Sequence, residues 1–180
     1  NFSQAWGVRQ SRTYKRLCRL VRESFLNTFL CEENGLYDRV TRTGPDRSIR
    51  PNMLIAASLP FTPLSRAQAA KVLSVAQEYL LTPRGVRTLN PQDPRYRGRY
   101  EGGLKARAAA AHQGTIWTWL IGPYVRTVLR VHRLTRSTQN TLRKQIEPFC
   151  EQIQTHGLGM VPEMFDAQPP HPHRGALGHV

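Results

Sequence analysis

The sequence predicts an all-α domain, and three observations carry that prediction. Apolar residues recur at spacings of three and four through several stretches, which gathers them on one face of a helix. Capping residues, prolines and glycines fall at the ends of those stretches. Amphipathic stretches also alternate with stretches that are apolar almost all round, the pattern of exposed helices packed on buried ones.

The first helix is expected over about 11–30. Leu17, Leu20, Val21, Ser24, Phe25, Thr28 and Phe29 share a face, with arginines opposite, and Cys18 reads as core filler. Gly35 follows Glu32-Glu33-Asn34 and can take the positive φ of a helix end. A short extended piece, Leu36 to Val40, and a polar turn, Thr43-Gly44-Pro45-Asp46, come next. Pro51 suits the start of a second helix over about 51–59, because its missing N–H would be unpaired there anyway. Met53, Leu54, Ile55, Ala56, Ala57 and Leu59 make that helix apolar all round, and so buried. Ser65-Arg66-Ala67-Gln68 is a capping box, and the helix it opens turns Ala69, Val72, Leu73, Ala76, Tyr79 and Leu80 inward. Residues 82–111 read as one irregular segment, a length that is usually functional or disordered, with Tyr96 and Tyr100 arguing for some order. A buried helix is expected over about 115–133, with Leu120, Ile121, Tyr124, Val125, Val128, Leu129 and His132 on one face. Ser137 can cap a last helix that presents Leu142, Ile146, Phe149 and Ile153, kinked or split at Pro148. No helix is expected after it, and almost no sheet anywhere. Stacked α-hairpins around a central funnel would give this order of elements; so would an irregular helical bundle.

The formal charge of +14 raises nucleic acid as a partner. Lysines are scarce (Lys15, Lys71, Lys105, Lys144), and the arginines scatter along the chain without forming a stripe. No dedicated nucleic-acid partner is therefore expected. No run of ~18 apolar residues exists, so no membrane span is expected either. Cys18, Cys31 and Cys150 form no CxxC pair and no metal spacing, a sparse set that suits a reducing, cytoplasmic compartment. His171 and His173 have no supporting cluster, so they read as loop residues and not metal ligands. Asn1 is not an initiator methionine, and the first residues read as the interior of a longer chain.

The densest chemistry lies between His112 and Tyr124. A histidine, an amide, a hydroxyl and two indoles stand at the start of the buried helix, where free backbone N–H groups point outward. Such a place suits a sugar, which needs hydrogen bonds to its hydroxyls and a flat apolar surface under its ring. An ordinary core helix with a Trp-rich start fits this stretch equally well. Trp117 and Trp119 would point about 200° apart on a helix, so both cannot face a funnel.

Several motifs stand in order along the chain: Leu36-Tyr37-Asp38; Arg50-Pro51-Asn52 with Ser58-Leu59-Pro60; Leu81-Thr82-Pro83 with Gly85 and Arg87-Thr88-Leu89; Asp93-Pro94 with Tyr96 and Gly98; His112-Gln113-Gly114-Thr115 with Trp117 and Trp119; Pro162-Glu163 with Phe165-Asp166; and Pro170-His171 with Arg174-Gly175. The ordered set closely resembles the amylo-α-1,6-glucosidase domain of glycogen debranching enzymes, over nearly the whole chain. The resemblance implies that residues 1–180 are one partial domain, roughly the C-terminal half of a six-hairpin (α/α) toroid of the glucoamylase-like kind. It implies inverting hydrolysis of α-1,6 branch linkages in a branched α-glucan, glycogen or limit dextrin, with two carboxyl groups and neither metal nor cofactor. In such chemistry one carboxylic acid protonates the leaving oxygen while a carboxylate activates water on the other face.

The family's general base is the Glu of its Pro-Glu motif, which falls on Glu163. Its general acid belongs to a Trp-Met-Asp motif that has no counterpart here, so the acid is expected before Asn1. The remainder of the catalytic domain then becomes an expected partner, and residues 1–180 alone are expected to be inactive. The apolar faces around Leu54 and Ile121 are expected to lie exposed at the broken edges. Substrate contacts are expected from Asp38, Arg50, Asn52, His112, Gln113, Trp117, Trp119 and Arg174; Arg50 could instead pair with Asp46, and Arg174 with another carboxylate. The sequence departs from the family at Met53, at Thr118, at Arg107-Ala108-Ala109-Ala110-Ala111 and over its last five residues. Two other readings stay open, a basic helical binding module without chemistry and a glycan-binding remnant.

Overall fold

The structure is a computed structural model that describes residues 11–155 and 159–177. Helix α1 (Ser11–Phe29) runs into a two-residue ribbon, β1 (Leu30–Cys31) against β2 (Gly35–Leu36). Gly35 makes this turn at φ 85°, and a Cβ on it would lie 2.9 Å from the Val72 side chain. A second ribbon pairs β3 (Arg39–Thr41) with β4 (Gly44–Asp46). Then come α2 (Asn52–Ser58), α3 (Arg66–Tyr79) and a third ribbon of β5 (Leu81–Thr82) and β6 (Gly85–Val86). The rest is α4 (Leu104–Ala110), β7 (Ile116–Trp117), a 3-10 turn (Thr118–Leu120), α5 (Ile121–Val131), α6 (Arg136–Thr155), β8 (Pro162–Phe165) and β9 (His173–Leu177).

The core is the meeting of α2, α3 and α5. Leu54, Ala57, Val72, Leu73, Ala76, Tyr124 and Val128 are buried together there. Small residues at 57, 69 and 76 let the helices approach closely while leucines and Tyr124 fill the gaps. The Tyr124 hydroxyl keeps a polar partner, accepting from Gln77 Nε2 at 3.3 Å. The expected capping box is formed: the Ser65 side chain accepts from the Gln68 N–H, and the Ser65 N–H donates to Gln68 Oε1 at 2.8 Å. Arginines close two helix ends. Arg66 donates to the Val131 carbonyl at the end of α5, and Arg130 donates to Leu59 just past α2. A second, smaller cluster of Ile116, Phe149, Phe165 and Ala167 lies under the sheet β7–β8–β9. In it Phe149 meets Phe165 edge-on, ring centroids 6.3 Å apart.

The all-α expectation holds only in part. Helices dominate, yet nine short strands among the described residues pair into small antiparallel sheets. Gly35, read as a helix terminator, also closes a hairpin, and two-residue strands leave no periodicity to detect. Residues 115–117 are not helical as expected, and 118–120 form a 3-10 turn before α5. Ile116 pairs with Phe165 and Trp117 with Met164, so a partner far along the chain overrides the local helical pattern. The cap of α6 is Thr135, whose hydroxyl accepts from the Thr138 N–H at 3.2 Å; Ser137 lies inside the helix. Pro148 does not split α6, and its carbonyl accepts from Arg84 at 2.9 Å. Cys18 is exposed and does not fill the core. Leu54 is fully buried, against the expectation of an exposed edge, and Ile121 is half-buried. Exposed apolar side chains lie instead on α1, at Leu17, Leu20 and Val21, and at scattered positions such as Phe61, Leu104 and Leu134. No described helix is long and apolar enough to cross a membrane.

Candidate active site

Arg50 leads into α2 and is the hub of the first wall of the site. Its Nε lies 3.7 Å from Asp38 Oδ2, and the two side chains are 14% and 10% exposed. Its Nη1 donates to the carbonyls of Thr88 (3.2 Å) and His112 (2.6 Å), and its Nη2 donates to Gln113 Oε1 (2.6 Å). Asn52 Nδ2 donates to Asp38 Oδ1 at 2.7 Å. Five residues singled out from sequence, Asp38, Arg50, Asn52, His112 and Gln113, are thus brought together. A guanidinium can do this because its fork reaches several acceptors at once.

Asp46, the other partner considered for Arg50, is already engaged. Arg39 Nε donates to it at 3.1 Å and Arg95 lies 3.9 Å away. The Ser48 hydroxyl donates to its carboxylate, and so does the Ser48 N–H at 3.0 Å. These bonds, that of the Ser48 hydroxyl above all, hold the Asp46 carboxyl at a pKa lowered to about 2.

The His112 ring stacks on Trp117 at 4.9 Å with 15° between planes, and the Trp117 indole N–H donates to the Ala111 carbonyl at 2.5 Å. Trp117 is half-buried against the core, whereas Trp119 stands 52% exposed on the 3-10 turn. The two indoles part company, but the helix from which that was expected is absent: Trp117 lies on β7 and Trp119 on the 3-10 turn.

The second wall is the β8–β9 hairpin, which carries Glu163 half-buried on β8. Thr118 Oγ donates to the Pro162 carbonyl at 2.6 Å, fixing β8 to the chain just past β7. Because Met164 faces Trp117 across the sheet, Glu163 lies one residue from the register position of the stacked aromatic. Asp166 is fully buried and accepts from Arg174 Nε (3.1 Å), Arg174 Nη2 (2.9 Å) and the Tyr100 N–H (2.8 Å). Arg174 therefore engages a carboxylate, the second of the two options weighed for it. The hydrogen bond to Asp166 holds its pKa above the usual arginine value.

Sequence reasoning missed the loop that joins the walls. The Arg97 N–H donates to the Gln113 carbonyl (2.5 Å), the Ala167 N–H to the Gly98 carbonyl (2.7 Å) and the Tyr100 N–H to Asp166. The one signal was the motif Asp93-Pro94 with Tyr96 and Gly98, inside a segment read as irregular. Gly114 is locked in turn, its N–H donating to Thr88 Oγ at 2.8 Å. Among the described residues no group of three or more His, Cys, Asp or Glu side chains is arranged to hold a metal ion.

Residues 1–178 match the family described as amylo-alpha-1,6-glucosidase. The chain belongs to that family. It is also similar to the glycogen debranching enzyme of Saccharomyces cerevisiae, at 29% identity over 128 residues. That alignment covers 66% of this chain and 8% of the yeast protein, so the chain spans a small fraction of that relative's length. The motifs that assemble into the two walls are those whose order carried the resemblance to the family.

Proposed function

We propose that this chain supplies the base-bearing part of an amylo-α-1,6-glucosidase site that hydrolyses the branch linkages of a glycogen-like α-glucan, with Glu163 as general base. What supports this reading is that Glu163 stands in the Pro-Glu motif of a chain that belongs to this family, on the strand β8 that pairs with β7. In the proposed reaction Glu163 takes a proton from water as its oxygen attacks C1 of the branch glucose. A second carboxylic acid protonates the departing glycosidic oxygen on the opposite face, so the anomeric centre inverts. The family resemblance assigns that acid to a Trp-Met-Asp motif, which lies outside these 180 residues. The helical hairpins then belong to an (α/α) toroid, completed by the rest of the catalytic domain.

The two walls divide the binding work in this reading. Arg50 holds Gln113 by its Oε1, which leaves the amide N–H groups to donate to sugar hydroxyls. Asp38, fixed by Arg50 and Asn52, offers its remaining lone pairs to hydroxyl donors. The His112–Trp117 stack and the exposed Trp119 offer flat apolar faces to sugar rings. No metal or organic cofactor takes part, and the three free cysteines are in keeping with a cytoplasmic setting.

Glu163→Gln in the full-length protein tests the assignment. The amide keeps the size and hydrogen-bonding capacity of the base but cannot accept the water proton. Glucan binding should persist while turnover falls roughly 10²–10⁴-fold, the range of positioned base catalysis. Turnover at the wild-type rate would overturn it.

A further inference from the structure

The β8–β9 pairing breaks register at Glu163. Pro162 pairs with Leu177 and Met164 with Arg174, so Gly175 and Ala176 together oppose the single residue Glu163. Gly175 stands at φ 72°, the left-handed conformation that the first residue of a glycine bulge adopts. Its bare Cα faces the base. A Cβ there would lie 3.0 Å from Glu163 Cβ and 3.1 Å from its Cδ, and would overlap Oε2. We infer that this bulge, with the Asp166–Arg174 pair that anchors it, is a positioning device that sets where the Glu163 carboxylate points. The inference rests on the reading of Glu163 as the base.

The physical chain is short. A bulge tilts and twists its strand and re-aims the side chain it opposes. Gly175 would make a floppy aiming device by itself, since glycine has the widest conformational freedom. The flanking residue removes that freedom. Arg174 is bound through two nitrogens to Asp166, which is fully buried on the strand-end of β8. Asp166 is itself held by the Tyr100 N–H, on the loop whose Arg97 N–H grips Gln113. The aim of Glu163 is thereby referenced to the Arg50–Gln113 wall. Arg174 acts here through Glu163 and is a positioning residue, not a sugar contact.

The test uses the full-length protein and four variants, with kcat and KM measured separately. Gly175→Ala should cut kcat on a branched dextrin by about 10²-fold with KM within about two-fold, since a misplacement near 1 Å has that effect on a catalytic group. Gly159→Ala is the matched control: Gly159 has φ 85° and nothing within 4 Å of an added Cβ, so it takes on the same backbone strain without touching the base. It should lose similar thermal stability and keep wild-type kcat. Asp166→Asn keeps an acceptor for Tyr100 but loses the charge opposite Arg174, and should cut kcat about tenfold with KM retained. It serves as the second probe should Gly175→Ala not fold. The inference is overturned if Gly175→Ala behaves like Gly159→Ala, or if Asp166→Asn keeps wild-type kcat. Full activity of Glu163→Gln would instead sink the base assignment, and the inference with it.

Discussion

Leu54 on α2 and Leu20 on α1 sit on apolar stripes of the same helical period, yet one is fully buried and the other 46% exposed. The second helix lies between α3 and α5, which cover it on both sides. The first touches the core only through Phe25, Leu26 and Phe29 at its C-terminal end, leaving Leu17, Leu20 and Val21 outside. Periodicity therefore tells which face of a helix is apolar, and not whether anything covers it.

Substitution at each leucine sharpens that contrast. Leu54→Ala should cost about 2–5 kcal/mol in urea denaturation, because it removes transfer free energy and leaves a cavity in a packed interior. A loss near zero would mean that the three-helix core is not formed as described. The β3–β4 ribbon between the two helices should show an intermediate effect, through Asp46. Its carboxyl has a pKa lowered from 3.8 to about 2 by the Ser48 bonds and the neighbouring arginines. A depressed folded-state pKa gives stability that is present above pH 3.8 and is lost as pH falls toward 2. Asp46→Asn should flatten the acid limb of the stability curve in that window, and an unchanged limb would contradict the assignment. The effect should be smaller than that of Leu54, because Arg39 and Arg95 reach it from an exposed, screened surface. Leu20→Ala should change stability by no more than about 0.5 kcal/mol, the range for exposed positions. A loss as large as that of Leu54→Ala would erase the distinction between the two helices.

Local signals were legible wherever one residue or one short spacing sufficed. The Ser65–Gln68 box, the apolar wrap of Met53 to Ala57 and the turn at Gly35 are of that kind. The site was legible in composition but not in geometry. Arg50 reaches Thr88 and Gln113, 38 and 63 residues away, and no spacing encodes such a contact. Only the order of motifs pointed to it. What escaped entirely was the sheet β7–β8–β9. Ile116 and Trp117 look helical until Phe165 and Met164 are beside them. A fully buried Asp166 reads like any loop aspartate, and Gly175 like any glycine after an arginine, until the bulge opposite Glu163 gives both a task.

The central claim is that Glu163 removes a proton from water, and chemical rescue tests it most directly. In Glu163→Ala of the full-length protein the base is gone, while the acid and the glucan contacts remain. Azide needs no deprotonation and fits the space of the missing carboxylate. Added azide should restore turnover of an activated α-glucoside and yield the inverted product, β-glucosyl azide. Failure of azide to restore any turnover in a folded, glucan-binding Glu163→Ala protein, or formation of the α-azide, would contradict the account.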